Sequence, residues 1–245
     1  MKVLIAGGRG RVGAKVADAL EARGVEVVSG GLDDGVDYLA GTGVAEALEG
    51  VDTIINVLNT PRFDTDGAVG FFEGSTRTLT TEGRRAGVTH HILLSIVGVG
   101  EGDASDVGYY LGKVAQERAV KAGGIPYTIV RSTQFQSYIG VLADQHTVDG
   151  TVLAPRDYIQ PVDLDELVAL LVEVALKAEP RGEVEIAGPE RFHLDDLLRG
   201  TLAASGDPRP VVTVESSGAI DAMVPRGAYR VGTVLFPLRD IPVAD

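Results

Sequence analysis

The stretch KVLIAGGRGRVGAKVADALEAR, residues 2–23, decides how the chain folds. Its first five residues are a short run ending at Ala6, apolar after Lys2, the length and character of a buried strand. Glycines follow at once. From Arg11 the pattern changes, with Val12, Val16, Ala17 and Leu20 recurring at helical spacing through Arg23. A strand therefore runs through a glycine turn directly into a helix. The turn satisfies G-x-G-x-x-G as Gly8, Gly10 and Gly13, and G-x-x-G-x-x-G as Gly7, Gly10 and Gly13.

Outward from that unit the two periods keep alternating. VEVV (25–28), VDTIINVL (51–58), ILLSIV (92–97) and PYTIVR (126–131) read as strands. Helices are predicted over 44–50, about 68–86 and 106–120. Strands alternating with helices imply parallel pairing through right-handed crossovers, hence an α/β fold with a doubly wound parallel sheet. Beyond residue 134 the pattern loosens. Helices at 162–178 and 193–205 and short strands at 151–154, 184–187 and 211–214 are expected, with an irregular tail FPLRDIPVAD. The expected organisation is a dinucleotide-binding core over 1–133 and a small C-terminal α+β lobe over 134–245, integrated with the core as one domain.

Composition narrows the chemistry. With 44% hydrophobic residues in 245, the chain has ample material for a core. Its 22 basic against 35 acidic residues give a net charge of −13, which repels nucleic acid and anionic membrane surfaces. There are no cysteines, so disulfides, thiol nucleophiles and thiolate metal sites are excluded. No metal site is expected from the four histidines either. His90 and His91 are adjacent in a strand and point to opposite faces, one expected buried and one near the surface. The apolar run in MKVLIAGG ends too soon for a signal peptide, and LDELVALLVEVAL (164–176) carries three acids, so a cytoplasmic protein is expected.

The glycine turn sits where a dinucleotide pyrophosphate would lie. Glycines let the backbone approach it, and free N–H groups at the helix start favour its charge. The competing reading is a tight turn without a ligand. An acid for the ribose hydroxyls is usual at the end of the second strand, but Ser29, Gly30 and Gly31 stand there, with Asp33 and Asp34 slightly later. Arg9 and Arg11 lie in the turn, and Arg9 has the forked geometry to take a 2′-phosphate. The balance favours NADP over NAD. Ser29 is a further candidate contact.

A second constellation lies in DVGYYLGKVAQERAV (106–120), where Tyr109 and Lys113 share one helix face. Ser95 falls near the end of the preceding strand, and the glycine-rich loop GVGEGDASDVG leads from there to the helix. A phenol has a reference pKa of about 10, poorly matched to neutral pH. An ammonium ~4 Å away at an effective dielectric of ~20 contributes up to ~4 kcal/mol, roughly three pKa units before desolvation opposes it. Tyr109 would then serve as a general acid, Lys113 would also bind the ribose, and Ser95 would donate to a carbonyl oxygen. Two other arrangements stay open: Tyr110 as the ring entering the crevice, and Glu117 pairing with Lys113 as an ordinary helix ion pair.

The GGRGRVG turn, Ser95 and Tyr109-x-x-x-Lys113 resemble the short-chain dehydrogenase/reductase superfamily. The run of GVTHHILLSIVGV, YYLGKVAQE, PYTIVRSTQF, IQPVDLDELV and EIAGPE resembles its atypical, NmrA-like NAD(P)-binding branch over most of residues 1–190. The resemblance implies an NAD(P)H-dependent reductase of a small-molecule substrate. It implies cofactor contacts at Gly7, Arg9, Gly10, Val12 and Gly13, at Leu58 and Asn59, at Lys113 as the ribose-binding lysine, and at Thr133, Gln134 and Phe135. Two departures stand out: SGG replaces the basic residues often found after the second strand, and Ser132 stands where a proline often follows the arginine. Three functions remain in play: reduction of a small carbonyl, quinone or similar acceptor; nucleotide-dependent redox sensing without turnover; and epimerisation or dehydration of a nucleotide sugar.

Overall fold

The computed structural model describes residues 1–60, 62, 64–100, 108–177, 179–216, 223–225, 227–238 and 240–244. The alternation read from the sequence is realised as a seven-stranded sheet in the order β12-β9-β5-β4-β3-β1-β2. Its members are β1 (Lys2–Ala6), β2 (Glu26–Gly30), β3 (Thr53–Asn56), β4 (His90–Ile96), β5 (Tyr127–Ser132), β9 (Gly182–Ala187) and β12 (Arg230–Val231). Strand β1 pairs in parallel with β2 and with β3 on its other side, through Val3↔Val27 and Val3↔Thr53. The chain thus leaves β1 toward one edge and returns to its opposite flank. That reversal opens a crevice beyond the carboxyl ends of β1 and β3, the usual ligand position of a doubly wound sheet.

The chain divides into two interleaved units. One comprises Met1–Ser95, Ser105–Arg131 and Leu167–Val184; the other Ile96–Ala104, Ser132–Glu166 and Glu185–Asp245. Helices α1 (Arg11–Glu21), α2 (Val44–Ala47), α3 (Thr65–Ala86) and α4 (Gly108–Ala122) belong to the first. Helix α1 buries Gly13, Val16, Ala17 and Leu20, the stripe its sequence spacing dictates. Helix α3 starts three residues earlier than expected because Asp64 accepts the Gly67 N–H at 2.7 Å as N-cap, and it stops at Gly87 in the left-handed conformation. Helices α3 and α4 pack closely: a Cβ at Gly112 would lie 2.7 Å from the Phe72 ring and 3.0 Å from the Ala68 carbonyl. The glycine-rich loop expected before α4 falls partly in residues 101–107, outside the described residues.

The second unit builds its own core on a three-stranded sheet, β11-β7-β6, with β7 (Thr151–Pro155) between β6 (Thr147–Val148) and β11 (Val211–Val214). Helices α5 (Ile139–Gln145) and α7 (Leu194–Ser205) contribute Leu142, Leu197 and Leu198 to that core. A two-stranded ladder joins β8 (Tyr158–Ile159) to β10 (Phe192–His193). Phe192 meets Phe236 edge-on at 5.5 Å, which holds the tail. Tail backbone groups that lack a ladder are satisfied by carboxylates: Glu166 accepts from Thr233 and Val234, and Glu190 from Phe236. Helix α5 and strands β6, β8, β10 and β12 lie outside the elements expected from the sequence; each of these strands has two residues, too few to show a period. Helix α6 (Leu164–Lys177) carries the acid-interrupted run read from the sequence. Among the described residues no helix is long and apolar enough to cross a membrane.

Both His90 and His91 are fully buried, not one of the two. Strand β4 pairs in parallel with β3, and crossover helices cover both faces of such a sheet, so side chains pointing either way are buried. His90 Nε2 lies 2.9 Å from Thr128 Oγ1, while neither ring nitrogen of His91 has a partner among the described residues. Burial, with His90 adding to it, pushes His91 down from 6.5 to about 3. The folded state therefore excludes a proton that the unfolded chain binds, so stability is complete above about 6.5 and declines as pH falls toward about 3. Denaturant midpoints measured across that window should fall with pH, and His91→Phe should flatten the decline.

Candidate functional site

The glycine turn is shaped by contacts that a side chain would destroy. Gly7 takes a positive φ of 89°, and a Cβ on it would lie 3.1 Å from the Val57 carbonyl oxygen at the end of β3. A Cβ on Gly8 would lie 2.7 Å from Ser29 Oγ. At Gly13 a Cβ would run into the Gly7 carbonyl oxygen and stand 2.8 Å from Gly8 Cα. Gly10 caps α1 with an extended backbone and no side chain, and its carbonyl receives the Ala14 N–H at 2.9 Å. The first-turn N–H groups of α1 have no intrahelical partner, and no acid stands in that turn. The result is a concave, electropositive backbone surface suited to a diphosphate.

The opposite lip of the crevice is the chain leaving β3. Asn56 donates to Thr76 at 3.2 Å and accepts the Leu58 N–H at 3.2 Å, which fixes the turn. Asn59 Oδ1 accepts the Thr60 N–H at 2.9 Å and the Tyr109 hydroxyl at 2.7 Å. The Tyr109 ring stands edge-on to Phe72, 5.5 Å between centroids. Of the two adjacent tyrosines, Tyr109 is the one whose hydroxyl reaches this lip; burial raises the pKa of Tyr110.

Lys113 and Ser95 are both buried, at 4% and 2% exposure, and they point into different networks. The Lys113 ammonium donates to the Leu94 carbonyl at 2.9 Å and to Gln116 at 2.6 Å, and it lies 4.7 Å from the Phe72 ring centre. Burial lowers its pKa to about 7, with Glu117 opposing the shift. Ser95 donates to Glu117 at 2.7 Å. Glu117 in turn receives Arg131 through Nε at 2.9 Å and Nη2 at 2.7 Å, and Glu183 bridges Arg131 and Lys121. Of the three groups expected to converge, Ser95 bonds to Glu117, Lys113 to the carbonyl of the neighbouring Leu94, and Tyr109 to Asn59. The Glu117 carboxylate turns toward the doubly bonding guanidinium of Arg131. Sequence reasoning missed Phe72, Gln116 and Arg131. Gln116, three residues after Lys113, was within reach of helical spacing; the other two come from separate elements.

A family model described as NAD(P)H-binding matches residues 7–153, more than half of the chain. The chain belongs to this NAD(P)H-binding family. No curated protein matches it by sequence. Among solved structures, dTDP-4-dehydrorhamnose reductase from Bacillus anthracis in complex with NADP is similar with a TM-score of 0.71 at 14% identity, covering 95% of this chain and 90% of that one. A dTDP-4-dehydrorhamnose reductase from Clostridium acetobutylicum gives 0.69 at 19% identity, covering 94% and 89%. UDP-glucose 4-epimerase from Thermus thermophilus in complex with NAD gives 0.66 at 16%, covering 89% and 88%. Identities this low speak for the fold. The family model bears out NAD(P) as the cofactor, and the shared doubly wound fold agrees with the resemblance read from the sequence.

The glycine turn of this NAD(P)H-binding chain fits a dinucleotide, because the space that a Cβ would fill at Gly7, Gly8 and Gly13 is what lets backbone approach phosphate. Ser29 lies beneath Gly8. Arg9 is held by Asp34, with Nε donating to Oδ2 at 3.0 Å and Nη2 to Oδ1. Arg11 and Val12 begin α1. Leu58 is half-buried against the core of its unit. Thr133, Gln134 and Phe135 belong to the second unit, where the Thr133 N–H bonds to Ile186 and the Gln134 carbonyl to Val162, with Phe135 bridged to Val162. Gly13→Ala should displace the Gly7 turn. Titration by NAD(P)H fluorescence should show binding weakened at least tenfold, with a lower Tm, whereas an exposed control such as Gly24→Asn should leave binding unchanged.

Proposed function

We propose that the protein is an NAD(P)H-dependent oxidoreductase that reduces a small carbonyl, quinone or similar acceptor by hydride transfer. The observation that carries this reading is the Tyr109 hydroxyl held by Asn59, two residues beyond the Val57 carbonyl against which the Gly7 turn packs. A proton donor and the glycine cradle therefore share one crevice. Bound NAD(P)H supplies the hydride. Tyr109 gives its proton to the acceptor oxygen as charge develops there, and Asn59 aims the hydroxyl. Lys113, when charged, stabilises the phenolate left behind and binds ribose hydroxyls. Ser95 in this arrangement anchors Glu117 and leaves the acceptor to Tyr109. A nucleotide-linked sugar is the second substrate class, favoured by the named activities of neighbours whose similarity spans about nine-tenths of the chain.

Purified protein should oxidise NADH or NADPH in the presence of a carbonyl or quinone panel that includes nucleotide-linked keto sugars. Tyr109→Phe should lower kcat by about 10²–10⁴-fold with little change in cofactor affinity. No turnover with any acceptor, combined with different affinities for oxidised and reduced cofactor, would replace this reading by a sensor. Lys113 makes a separate prediction. Its ammonium is disfavoured by burial and prefers the neutral form below its ordinary pKa of 10.5 down to about 7. The group therefore detracts from stability increasingly as pH falls through that range. Lys113→Met should keep or raise Tm at neutral pH while weakening cofactor binding.

A further inference from the structure

The sequence offers Arg9 as a forked guanidinium able to take a 2′-phosphate, and the structure puts the Asp34 carboxylate on it. Arg9 stands between Gly8, on which a Cβ would lie 2.7 Å from Ser29 Oγ, and Gly10, which caps α1, so the root of its side chain is set by the loop itself. Asp34 reaches it from the other side. After β2 the chain forms a tight 3-10 turn over Leu32–Asp34, closed by the Asp34 N–H to the Gly31 carbonyl at 2.9 Å and the Gly35 N–H to Leu32 at 3.0 Å. Gly35, in the left-handed conformation with φ 76°, ends it. This turn directs the Asp34 carboxylate back toward the glycine loop, where it takes Arg9 through Nε and Nη2 together. Asp33 lies close enough to add its charge to the field at Arg9. The side chain of Asp34 is only 21% exposed against 62% for Arg9, so the acid is the more firmly seated partner.

We propose that Asp34, by occupying and neutralising Arg9, gives the nucleotide site a preference for NAD(H) over NADP(H). The inference rests on the glycine cradle holding a dinucleotide and adds which one. A 2′-phosphate, carrying close to two negative charges, would meet a guanidinium whose Nε–Nη2 fork is filled and two carboxylates of its own sign. A 2′-hydroxyl would meet the same carboxylates as hydrogen-bond acceptors. The acid that the strand end lacks at Ser29–Gly31 is thus supplied from the following turn. Because the pair is partly exposed, screening limits the effect to about tenfold in relative affinity rather than thousands.

Dissociation constants for NADH and NADPH, measured by fluorescence titration on the full chain at fixed salt, test this. Wild type should bind NADH more tightly. Asp34→Asn should raise NADPH affinity relative to NADH about tenfold, a change of ~1.4 kcal/mol. Adding Arg9→Gln to that variant should abolish the gain, because it acts through the freed guanidinium. Asp34→Ser serves as a second variant should the first alter Tm. Tighter NADPH binding by wild type, an unchanged ratio in both Asp34 variants, or a gain that survives loss of Arg9 would overturn the inference while leaving dinucleotide binding intact. Failure of folded wild type to bind either nucleotide would overturn the cradle reading itself, and this inference with it.

Discussion

Helix α1 begins so close to the end of β1 that its third residue has no room for a methyl group. A Cβ at Gly13 would collide with the Gly7 carbonyl and crowd Gly8, while Gly7 itself lies against the end of β3. Three elements are therefore brought together through bare backbone. Their contact sets the angle at which α1 leaves the sheet and points its unpaired N–H groups at the mouth of the crevice. The same contact brings the β3 exit, with Asn59, to the other lip. Asn59 in turn accepts the Tyr109 hydroxyl, so the position of the phenol depends on where this packing puts the β3 exit.

Around that frame the chain buries charge. An ammonium removed from water costs several kcal/mol unless its surroundings compensate, and Lys113 is compensated by a carbonyl, an amide oxygen and an aromatic face rather than by a full ion pair. Glu117 has the opposite solution, with a guanidinium and a hydroxyl bound directly to its oxygens. The two groups lie four apart on α4, and the sequence alone leaves an ion pair between them open. Arg131 decides otherwise, because a guanidinium offers a carboxylate two parallel hydrogen bonds where an ammonium offers a single point charge. Lys113 is left with a lowered pKa, and Ser95 donates to Glu117.

The order of elements, the α/β class, the glycine turn and the pairing of Tyr109 with Lys113 on one helix face were all determined by the sequence, since periodicity and the absence of side chains act over a few residues. Family membership was legible on the same grounds. Tertiary structure decided what each polar group touches. Asp34 on Arg9, Asn59 under Tyr109 and Arg131 on Glu117 each join residues from separate elements, and periodicity carries no information about which of several nearby partners wins. The burial of both histidines has the same origin: an alternating pattern assigns opposite faces of a strand, but only the packing of helices on both faces of the parallel sheet covers both.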